Sequence, residues 1–336
     1  MILGFLSERI SKLITSCMQN VLLLSSGSKV TLARIVARSC KKRGSTLHGI
    51  DKEENVPTSH FVDSFQAINP KDWQTSVFQY CLNHRIGLII PTRHADLLGL
   101  SLDIEKFLSH GIQIGISSPQ TIEICIDKFS TYNFLTRNAF PIPHTYPLNP
   151  DTIESLNNCS PLIVKPTRGS GSRGVRIINH ASEILPSELS GNHIAQEIAK
   201  GDEYTINVYV SRKGESICAI PHKRIVVENG ESVQAITKRI HILEELARSI
   251  SQTLPGAWGP LNIQAFYDAE TGTAQIIEIN PRVGGGFPLT HQAKGEFMEW
   301  LMEEAFEDKQ LRPLFNWTSG LRMMRYRSEI FDHPQS

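Results

Sequence analysis

The feature that most constrains the fold is a short run in which apolar and polar residues alternate and then give way to glycine. The run is Ile276-Ile-Glu-Ile-Asn-Pro-Arg-Val-Gly-Gly-Gly286. Glu278 and Asn280 are two residues apart, so an extended strand presents both on one face and directs Ile277 and Ile279 to the other face, into a core. The proline ends the strand, and the glycines let the main chain approach a ligand closely. The run therefore predicts a strand with a ligand site at its end.

The polar residues of this run suit a magnesium nucleotide. Magnesium prefers oxygen ligands and completes its octahedron with water and substrate phosphates, so a carboxylate and an amide oxygen beside ATP are sufficient. Arg282 adds a cationic fork for a phosphoryl oxygen. An Ile-Glu-Ile-Asn-Pro pattern alone also fits an ordinary amphipathic edge strand that ends in a turn. The arginine and the three glycines are what such a hairpin does not require.

A second segment has the character of a phosphate site. The apolar residues from Leu162 to Val164 predict a buried strand that carries Lys165 at its end. The loop that follows, residues 167–175, contains three glycines whose main-chain N–H groups could surround phosphates. A plain hairpin turn has the same composition, so the loop alone leaves both interpretations open.

Together these segments resemble the ATP-grasp superfamily, in particular stand-alone relatives of the carbamoyl-phosphate synthetase large subunit and carboxylate–amine ligases. The resemblance extends over roughly residues 20–326. It implies an α/β protein in which an N-terminal Rossmann-like parallel sheet, the pre-ATP-grasp domain, precedes an ATP-grasp fold of two α+β subdomains. We expect these parts to be an N-terminal extension (1–19), the pre-ATP-grasp domain (20–118), the ATP-grasp domain (119–326) and a C-terminal tail (327–336).

The resemblance also implies a role for each polar residue around the predicted nucleotide. The metal ligands would be Gln264, Glu278 and Asn280, which hold two Mg²⁺ ions, with Mn²⁺ as an alternative metal. The fourteen-residue step from Gln264 to Glu278 fits two antiparallel strands of the family. Arg282 would lie close to the transferred phosphate. The ATP-binding residues would be Lys128, Lys165, Gly169, Ser170, Gly171, Glu197 and Glu203.

Within that set, the family assigns different parts of ATP to different residues. Lys165 would seat the α- and β-phosphates beneath the glycine loop, which closes over them as a lid. Glu197 would lie at the adenine hinge, and Glu203 would accept hydrogen bonds from the ribose hydroxyls, because a carboxylate offers two acceptors to a vicinal diol. Lys128 would be the first phosphate-binding base, in the helix after Ser118-Pro119.

Three of these assignments have open alternatives. Lys128 could be an ordinary surface lysine, and Glu203 could belong to a solvated charged turn. Arg224 is the second catalytic residue that we expect, near the γ-phosphate or the acceptor, on the strand that begins at Pro221. Lys223, or neither residue, could fill that place instead.

Composition narrows the class of protein. The chain has 336 residues, of which 40% are hydrophobic, enough for two or three domains with their own cores. Its 34 basic and 34 acidic residues balance, which argues against a nucleic-acid or membrane partner. Six cysteines (17, 40, 81, 125, 159 and 218) form no Cys-x-x-Cys pair and indicate a reducing cytoplasm. Residues 1–17 lack the features of a signal peptide, and Met18 is a plausible true start.

The first hundred residues alternate between strand and helix patterns. Val21–Leu24 is followed by a glycine turn and by apolar residues at helical spacing at 32, 35, 36, 39 and 40. Further apolar runs at 46–50, 87–90 and 113–116 predict a parallel sheet covered on both faces. A dinucleotide site is disfavoured, because Gly27 is a single glycine of the Gly-x-Gly-x-x-Gly pattern.

The function that these residues predict is an ADP-forming ligase. It would activate a carboxylate as an acyl phosphate for attack by an amine, using small-molecule carboxylate and amine substrates in a chain that can form a homodimer. One alternative is carbamoyl-phosphate-type chemistry on bicarbonate, and another is a non-catalytic ATP-binding regulatory module. The retained pair Glu278 and Asn280 argues against the regulatory module.

Overall fold

The computed structural model describes residues 19–156, 161–169, 171 and 173–332. The chain divides into two compact units. The first is the chain up to Ile116 with Glu296–Leu311 and the residues from Met323 onward, and the second is Ser117–Gly295 with Arg312–Arg322. The predicted domain border at 118/119 falls two residues from this division, but two late segments cluster with the first unit. The predicted extension at 1–19 lies, except for its last residue, outside the described residues.

The first unit contains a parallel sheet. Its strands are β1 (Asn20–Leu24), β2 (Leu47–Asp51), β3 (Ser64–Ala67), β4 (Ile86–Pro91) and β5 (Gln113–Ile114), in the order β3-β2-β1-β4-β5. All four described pairings are parallel. The helices between the strands are α1 (Val30–Lys42), α2 (Trp73–Asn83), α3 (His94–Leu102) and α4 (Ile104–Leu108). The predicted parallel sheet is confirmed.

The sequence pattern of this unit explains its elements. Residues 21–24 are at most 1% exposed, as expected for a strand that is covered on both faces. The apolar stripe of α1, predicted from spacing, is the buried side of that helix. Strand β3 was not predicted. Its sequence, Ser-Phe-Gln-Ala, is short and half-buried at the sheet edge, so it lacks the continuous apolar run of the central strands.

The second unit begins with two helices and a four-stranded sheet. The helices are α5 (Pro119–Ile126) and α6 (Lys128–Arg137), and the strands are β6 (Thr145–Pro147), β7 (Leu162–Pro166), β8 (Arg176–Ile178) and β9 (His193–Glu197). The strand order is β6-β9-β7-β8, and every pairing is antiparallel. Ser118 caps α5, because its side chain accepts from Thr121 N. This sheet carries Lys165 at the end of β7.

A larger antiparallel sheet completes the unit. Its strands are β10 (Asp202–Val210), β11 (Ser216–Glu228), β12 (Glu231–Thr237), β13 (Gly259–Asp268) and β14 (Thr273–Asn280), in the order β14-β13-β10-β11-β12. Helix α7 (His241–Thr253) packs against β10, β11 and β13. A one-turn helix, α8 (Phe287–Gln292), follows the glycine run. Helix α9 (Phe297–Phe306) belongs to the first unit, and a short strand, β15 (Arg322–Met324), follows it in the chain.

The larger sheet separates an apolar face from a polar face. Tyr204, Ile206, Ile263 and Ala265 are at most 1% exposed and belong to one core cluster, which includes α7. Their alternate neighbours are polar. Such alternation is typical of an antiparallel sheet with different surroundings on its two faces. The polar face is where the predicted metal ligands lie.

One residue of β14 departs from the predicted alternation. The register shifts there, so that Gln264 pairs with Glu278 while Ala265 pairs with Ile276, which leaves Ile277 as an extra residue. Ile276 and Ile279 are fully buried in the core cluster, whereas Ile277 is half-buried. The expectation that Ile277 enters the core beside Ile279 is therefore wrong. The cause is a β-bulge, which alternation cannot foresee.

None of the helices in the described ranges is long and apolar enough to span a lipid bilayer.

Candidate functional site

Two rows of polar side chains cross the larger sheet. In the first row Thr205 on β10 is opposite Gln264, which is opposite Glu278. Paired residues on one face of an antiparallel sheet have Cβ atoms about 4.5–5.5 Å apart, so the Gln264 and Glu278 side chains meet. The antiparallel pairing that the family resemblance implies for these two residues is confirmed.

The second row lies two residues along the same strands. Asn207 is opposite Asn262, and Asn262 is opposite Asn280. These three side chains are at most 5% exposed. Asn262 Nδ2 donates to Asn207 Oδ1 at 3.4 Å, and Asn207 Nδ2 donates to Thr290 Oγ1 at 2.7 Å. The second row therefore consists of three buried amide side chains, and one of them, Asn280, is a predicted metal ligand.

Four residues of these rows line a cavity of about 240 Å³, namely Thr205, Gln264, Asn262 and Asn280, whereas Glu278 and Asn207 do not. The other walls come from the β11–β12 hairpin and from the glycine run. Of the predicted site residues, Gly171, Arg224, Gln264, Asn280 and Arg282 line this cavity. It also contains residues that were not predicted, which are Thr205, Asn229, Gly230, Glu231, Ser232, Asn262 and Gly284–Gly286.

The predicted metal ligands fit magnesium by the chemistry of their donors. Gln264 and Asn280 offer amide oxygens and Glu278 offers a carboxylate, on adjacent positions of one polar face. Mg²⁺ is commonly held by one or two carboxylates together with substrate phosphates. Within the residues that the structure describes, no group of three or more His, Cys, Asp or Glu side chains is gathered for a metal. A metal here would therefore depend on a nucleotide for much of its coordination.

Arg282 follows the metal-ligand strand and is half-buried. Its Nη1 donates to the carbonyl of Val283 at 2.9 Å, while its buried Nε has no hydrogen-bond partner. Burial lowers the pKa of the guanidinium below its usual value, and the negative charges of Glu278 and Glu231 oppose that shift. Arg282 thus lines the cavity and has one buried N–H donor without a partner.

Lys165 is a buried cation in the smaller sheet. It is 9% exposed, and its Nζ donates to Gln196 Oε1 at 2.8 Å. Gln196 in turn donates through Nε2 to Thr145 Oγ1 at 2.8 Å. The pKa of Lys165 is lowered to about 8, because burial lowers it more than the negative charge of Glu278 raises it, and the positive charge of Lys128 adds to the lowering. A buried ammonium with one neutral partner favours an anion beside it.

Lys128 begins a separate helix. We expected it within the helix that starts after Ser118-Pro119, but Asp127 adopts an extended conformation and accepts from Phe129 N and Ser130 N, which ends α5 and caps α6. Lys128 Nζ donates to Gly169 O at 3.2 Å. Lys128 is thereby tied to the glycine loop, as a phosphate-binding base beneath a lid would be.

The glycine loop requires glycine at the two predicted positions that the structure describes. Gly169 has φ +134° and Gly171 has φ +71°, and both values lie where a side chain is strained. Ser170 lies outside the described residues. Gly171 also approaches the β11–β12 hairpin, because a Cβ on Gly230 would lie 2.9 Å from Gly171 Cα. Closure of the loop over ATP stays a prediction.

Glu203 and Arg224 were predicted to contact different parts of the substrates, but they form an ion pair. Arg224 also donates to Gly230 O at 2.8 Å and to Ser232 Oγ at 3.2 Å, and its side chain is 5% exposed. To contact a substrate as predicted, Glu203 and Arg224 would have to give up this ion pair. Lys223, the alternative to Arg224, pairs with Asp202 at 2.6 Å.

Glu197 is the exposed last residue of β9. Its main-chain N–H donates to the carbonyl of His144 at 3.0 Å, so the chain is anchored at the predicted adenine hinge. Its role at adenine stays a prediction.

Sequence reasoning missed Thr205, Asn207, Asn262 and Glu231. A signal for the first three was present, because Glu203, Thr205 and Asn207 alternate with buried residues, as do Asn262 and Gln264. Two strands with polar residues at every second position predict a shared polar face. Glu231 has no such signal, since only the hairpin brings it to the cavity.

Residues 125–286 match the family model described as ATP-grasp domain. The chain contains an ATP-grasp domain, and the resemblance found in its motifs is confirmed.

Particular relatives are more distant. The uncharacterized protein y4rH of Sinorhizobium fredii (strain NBRC 101917 / NGR234) is 24% identical over 224 residues, a match that covers 56% of this chain and 44% of that protein. The carbamoyl phosphate synthase large chain of Thermoanaerobacter sp. (strain X514) is 25% identical over 239 residues, with 65% of this chain and 22% of that protein covered. The chain thus matches less than half the length of either relative.

A solved structure shows the same fold. The biotin carboxylase domain dimer of Hydrogenobacter thermophilus 2-oxoglutarate carboxylase, in complex with MgADP, ADP and bicarbonate, has a TM-score of 0.75 at 16% identity. The similarity covers 91% of this chain and 73% of that one. The predicted fold class, a parallel sheet followed by the ATP-grasp fold, is confirmed.

Proposed function

We propose that this protein is an ADP-forming ligase that activates a carboxylate with ATP and joins it to an amine. The observation that carries the proposal is the pairing of Gln264 with Glu278, next to a cavity that Gln264, Asn280 and Arg282 line. Oxygen ligands and a guanidinium are thereby brought to one place, which is what transfer of a phosphoryl group needs. The MgADP bound to the related biotin carboxylase domain supports ATP and Mg²⁺ as the ligands.

The chain has a part for each stage of the reaction. Lys165 and Lys128 hold the phosphates of ATP, and Gln264, Glu278 and Asn280 hold Mg²⁺. The metal, when bound, neutralises charge on the phosphates. A carboxylate oxygen of the acid attacks the γ-phosphorus, and the bond from that phosphorus to the β-phosphate oxygen breaks, so ADP leaves with the electron pair. Arg282 stabilises the charge that develops on the transferred group.

The second half of the reaction needs no protein nucleophile. The amine lone pair attacks the acyl carbon, the bond from that carbon to the phosphate oxygen breaks, and phosphate leaves. The amine nitrogen loses a proton to solvent. We further propose two metal ions, which Mn²⁺ could replace, an adenine contact at Glu197 and a ribose contact at Glu203, which would require Glu203 to leave Arg224. Location in the cytoplasm and a homodimer remain predictions from the sequence.

Carbamoyl-phosphate-type chemistry on bicarbonate is the second candidate. The similarity to a carbamoyl phosphate synthase large chain and the bicarbonate in the related biotin carboxylase domain favour it. The two candidates differ in the acid that accepts the phosphoryl group. Bicarbonate alone should support ADP formation if the second candidate is correct.

The experiment that tests the proposal supplies Mg-ATP, a panel of carboxylic acids and hydroxylamine, without an amine substrate, in bicarbonate-free buffer. We expect ADP and phosphate together with the hydroxamate of the preferred acid, because hydroxylamine intercepts an acyl phosphate. A parallel series contains bicarbonate and no other acid. Formation of AMP and pyrophosphate, with no hydroxamate from any acid that supports turnover, would contradict the proposal.

Two further results would favour a different function for the protein. ADP formation that depends on bicarbonate alone would favour the second candidate. ATP binding by calorimetry, with no ADP formed under any of these conditions, would instead indicate a nucleotide-binding regulatory module.

A further inference from the structure

Asn207, on β10, is a buried amide that does not line the cavity but bonds to a residue that does. It is 2% exposed. Its Nδ2 donates to Thr290 Oγ1 at 2.7 Å and lies 3.4 Å from His222 Nδ1, and its Oδ1 accepts from Asn262 Nδ2 at 3.4 Å. Thr290 and His222 are fully buried. One amide group therefore joins three side chains from three other elements, α8, β11 and β13.

Two of these side chains lie directly against the glycine run, Gly284–Gly286. A Cβ on Gly284 would overlap Asn262 Nδ2, and one on Gly286 would lie 2.5 Å from the imidazole of His222. Real Cβ atoms do not approach other atoms this closely, so the main chain of the run packs on both side chains. The position of the run thus depends on where these two side chains lie, and both contact the same amide.

The third side chain holds the segment that follows the run. Thr290 is in α8, and its main-chain N–H donates to Gly286 O, one helical turn back, at 3.4 Å. On the other side of the run, Arg282 Nη1 donates to Val283 O at 2.9 Å. Since only the three glycines separate Val283 from α8, the anchor of α8 on Asn207 helps to determine where the Arg282 guanidinium lies.

Asn207 can act on a reaction at the cavity only through its neighbours. Its amide carries no charge, and it does not line the cavity, so it neither transfers a proton nor binds a substrate. Its contribution is therefore geometric. A buried donor that loses its acceptor stays desolvated and unpaired, which costs free energy. The three bonds of Asn207 thus oppose any shift of the glycine run that would break them.

We propose that Asn207 is a positioning residue for the phosphoryl transfer, which holds the glycine run so that Arg282 stays in place at the cavity. The inference rests on the proposed ligase reaction, in which Arg282 stabilises the charge on the transferred group. A misplacement of about 1 Å can cost about a hundredfold in rate. In that reaction Lys165 and Lys128, from other elements, bind the phosphates of ATP. Loss of the anchor should therefore lower kcat and leave KM for ATP nearly unchanged.

The variant that tests this role is Thr290→Val, which keeps nearly the same shape and removes the acceptor of Asn207 Nδ2. Replacement of Asn207 itself would disrupt three contacts at once. With hydroxylamine and the acid of the panel that gives most hydroxamate, Thr290→Val should lower kcat for ADP formation by about tenfold to a hundredfold and change KM for ATP by less than about twofold. Thr290→Ser keeps the hydroxyl and should recover most of the lost activity.

Thr121→Val is the matched control. Thr121 is also a fully buried threonine in a helix of the second unit, and its hydroxyl donates to Pro255 O at 2.7 Å, the same length as the bond at Thr290. The proposed reaction does not involve Thr121. Both valine variants should have lower melting temperatures than the wild type. At a temperature where circular dichroism shows all variants to be folded, Thr121→Val should keep the kcat of the wild type.

A double-mutant cycle shows whether the effect passes through Arg282. In an Arg282→Ala background, the group that Thr290→Val misplaces is no longer present. Thr290→Val should then lower the remaining rate of ADP formation, followed with labelled ATP, by less than about twofold.

Hydrogen exchange follows the glycine run without any turnover. The main-chain N–H groups of Phe287 and Leu289 donate to carbonyls of the run, both at 3.1 Å. These two amides should exchange about tenfold faster in Thr290→Val than in Thr121→Val, because the anchor of α8 is lost in the first variant only. Amides of β10 should exchange at similar rates in the two variants.

The outcomes separate the anchor from the reaction. A wild-type kcat in Thr290→Val, an equal loss in Thr121→Val, a full loss in the Arg282→Ala background or equal exchange of the Phe287 amide in the two valine variants would each overturn the positioning role while the ligase stands. Faster exchange in Thr290→Val, with no ADP formed by the wild type, would support the anchor and overturn the ligase. Equal exchange and no ADP formation would overturn both.

Discussion

The two units place their polar groups differently with respect to their sheets. In the parallel sheet of the first unit, central strands such as β4 are buried along their length, and the polar residues of a cavity of about 170 Å³ (Asp51, Arg93 and Asp96) lie at or beyond strand ends. In the larger sheet of the second unit, polar residues lie within the strands, as Gln264 and Asn262 do on β13. A strand covered on both faces can offer chemistry only at its ends, whereas one with a polar face can offer it along its length.

This difference teaches where substitutions should affect activity and where they should affect stability. In the polar face, buried groups are held by one another, as Asn262 is by Asn207, and by groups expected from the substrates. In the parallel sheet, the residues that are buried to the same extent are mainly apolar and pack against one another. The consequences of single substitutions should therefore separate cleanly between the two sheets.

The largest effect should follow removal of the shared carboxylate. Glu278→Ala should abolish ADP formation, a loss of about 10²–10³-fold or more, and leave the melting temperature near that of the wild type. The control is Glu270→Ala, at the exposed turn of the same β13–β14 hairpin. If Glu278→Ala turned over within a fewfold of the wild type, the polar face would take no part in the reaction.

A truncation in the parallel sheet should have the opposite result. Ile89 lies in the middle of β4 and is 0% exposed, so Ile89→Ala should lower the free energy of unfolding by about 2–5 kcal/mol. The affinity of the folded protein for Mg-ATP should not change. Leu102→Ala, at a side chain that is 67% exposed, is the control and should stay within about 0.5 kcal/mol of the wild type. A loss of ATP affinity in folded Ile89→Ala would contradict the separation.

The pH dependence of ATP binding should show whether Lys165 binds the phosphates. Its pKa of about 8 means that the free protein carries the ammonium below that pH and the neutral amine above it. Phosphates bind the charged form, so binding above pH 8 must take up a proton, and affinity should fall by up to about tenfold per pH unit. Calorimetry between pH 6.5 and 9.5 would measure this slope.

The same titration of Lys165→Met provides the control. That variant should bind ATP more weakly at neutral pH, and the fall above pH 8 should be missing. A wild-type affinity that is constant through pH 9.5 would indicate that Lys165 does not face the phosphates.

The smallest effect concerns the residue that positions Lys128. Asp127→Ala removes the side chain that accepts from Phe129 N and Ser130 N, which should lower the free energy of unfolding by about 1 kcal/mol in urea. Asp127→Asn keeps an acceptor and should lose less, because the ion-pair partner of Asp127, Arg168 at 3.5 Å, has a side chain that is 66% exposed and adds little stability. Equal losses in the two variants would assign the effect to charge rather than to capping.

The sequence predicted those parts of the fold that local patterns determine. The strands around Val21 and Lys165 follow from continuous apolar runs, and α1 follows from helical spacing. The pairing of Gln264 with Glu278 followed from the family resemblance, whose two antiparallel strands their separation in the chain fits. Each of these depends on residues that are close in sequence or on a simple hairpin.

What the sequence could not predict depends on residues brought together from distant segments. The ion pair of Arg224 with Glu203 joins two neighbouring strands, and nothing local distinguishes it from two substrate-binding side chains. Glu231 reaches the cavity only through the turn of the β11–β12 hairpin. The break before Lys128 is different, because Asp127 caps a new helix with its own side chain, a local signal that the placement of Lys128 in the helix after Ser118-Pro119 overlooked.

Because β14 contains one extra residue, the length of the main chain in this strand helps to determine where the predicted metal ligands lie. Because the bulge at Ile277 precedes Glu278, the core residues before it and the metal-ligand residues after it belong to two short lengths of strand joined by a bend. Deletion of Ile277 would keep the order of inward and outward side chains, since Ile276, Glu278, Ile279 and Asn280 would then simply alternate. The carboxylate would move without any change in its chemical identity. A one-residue deletion could thus change which metal ion the site prefers, through ligand position alone.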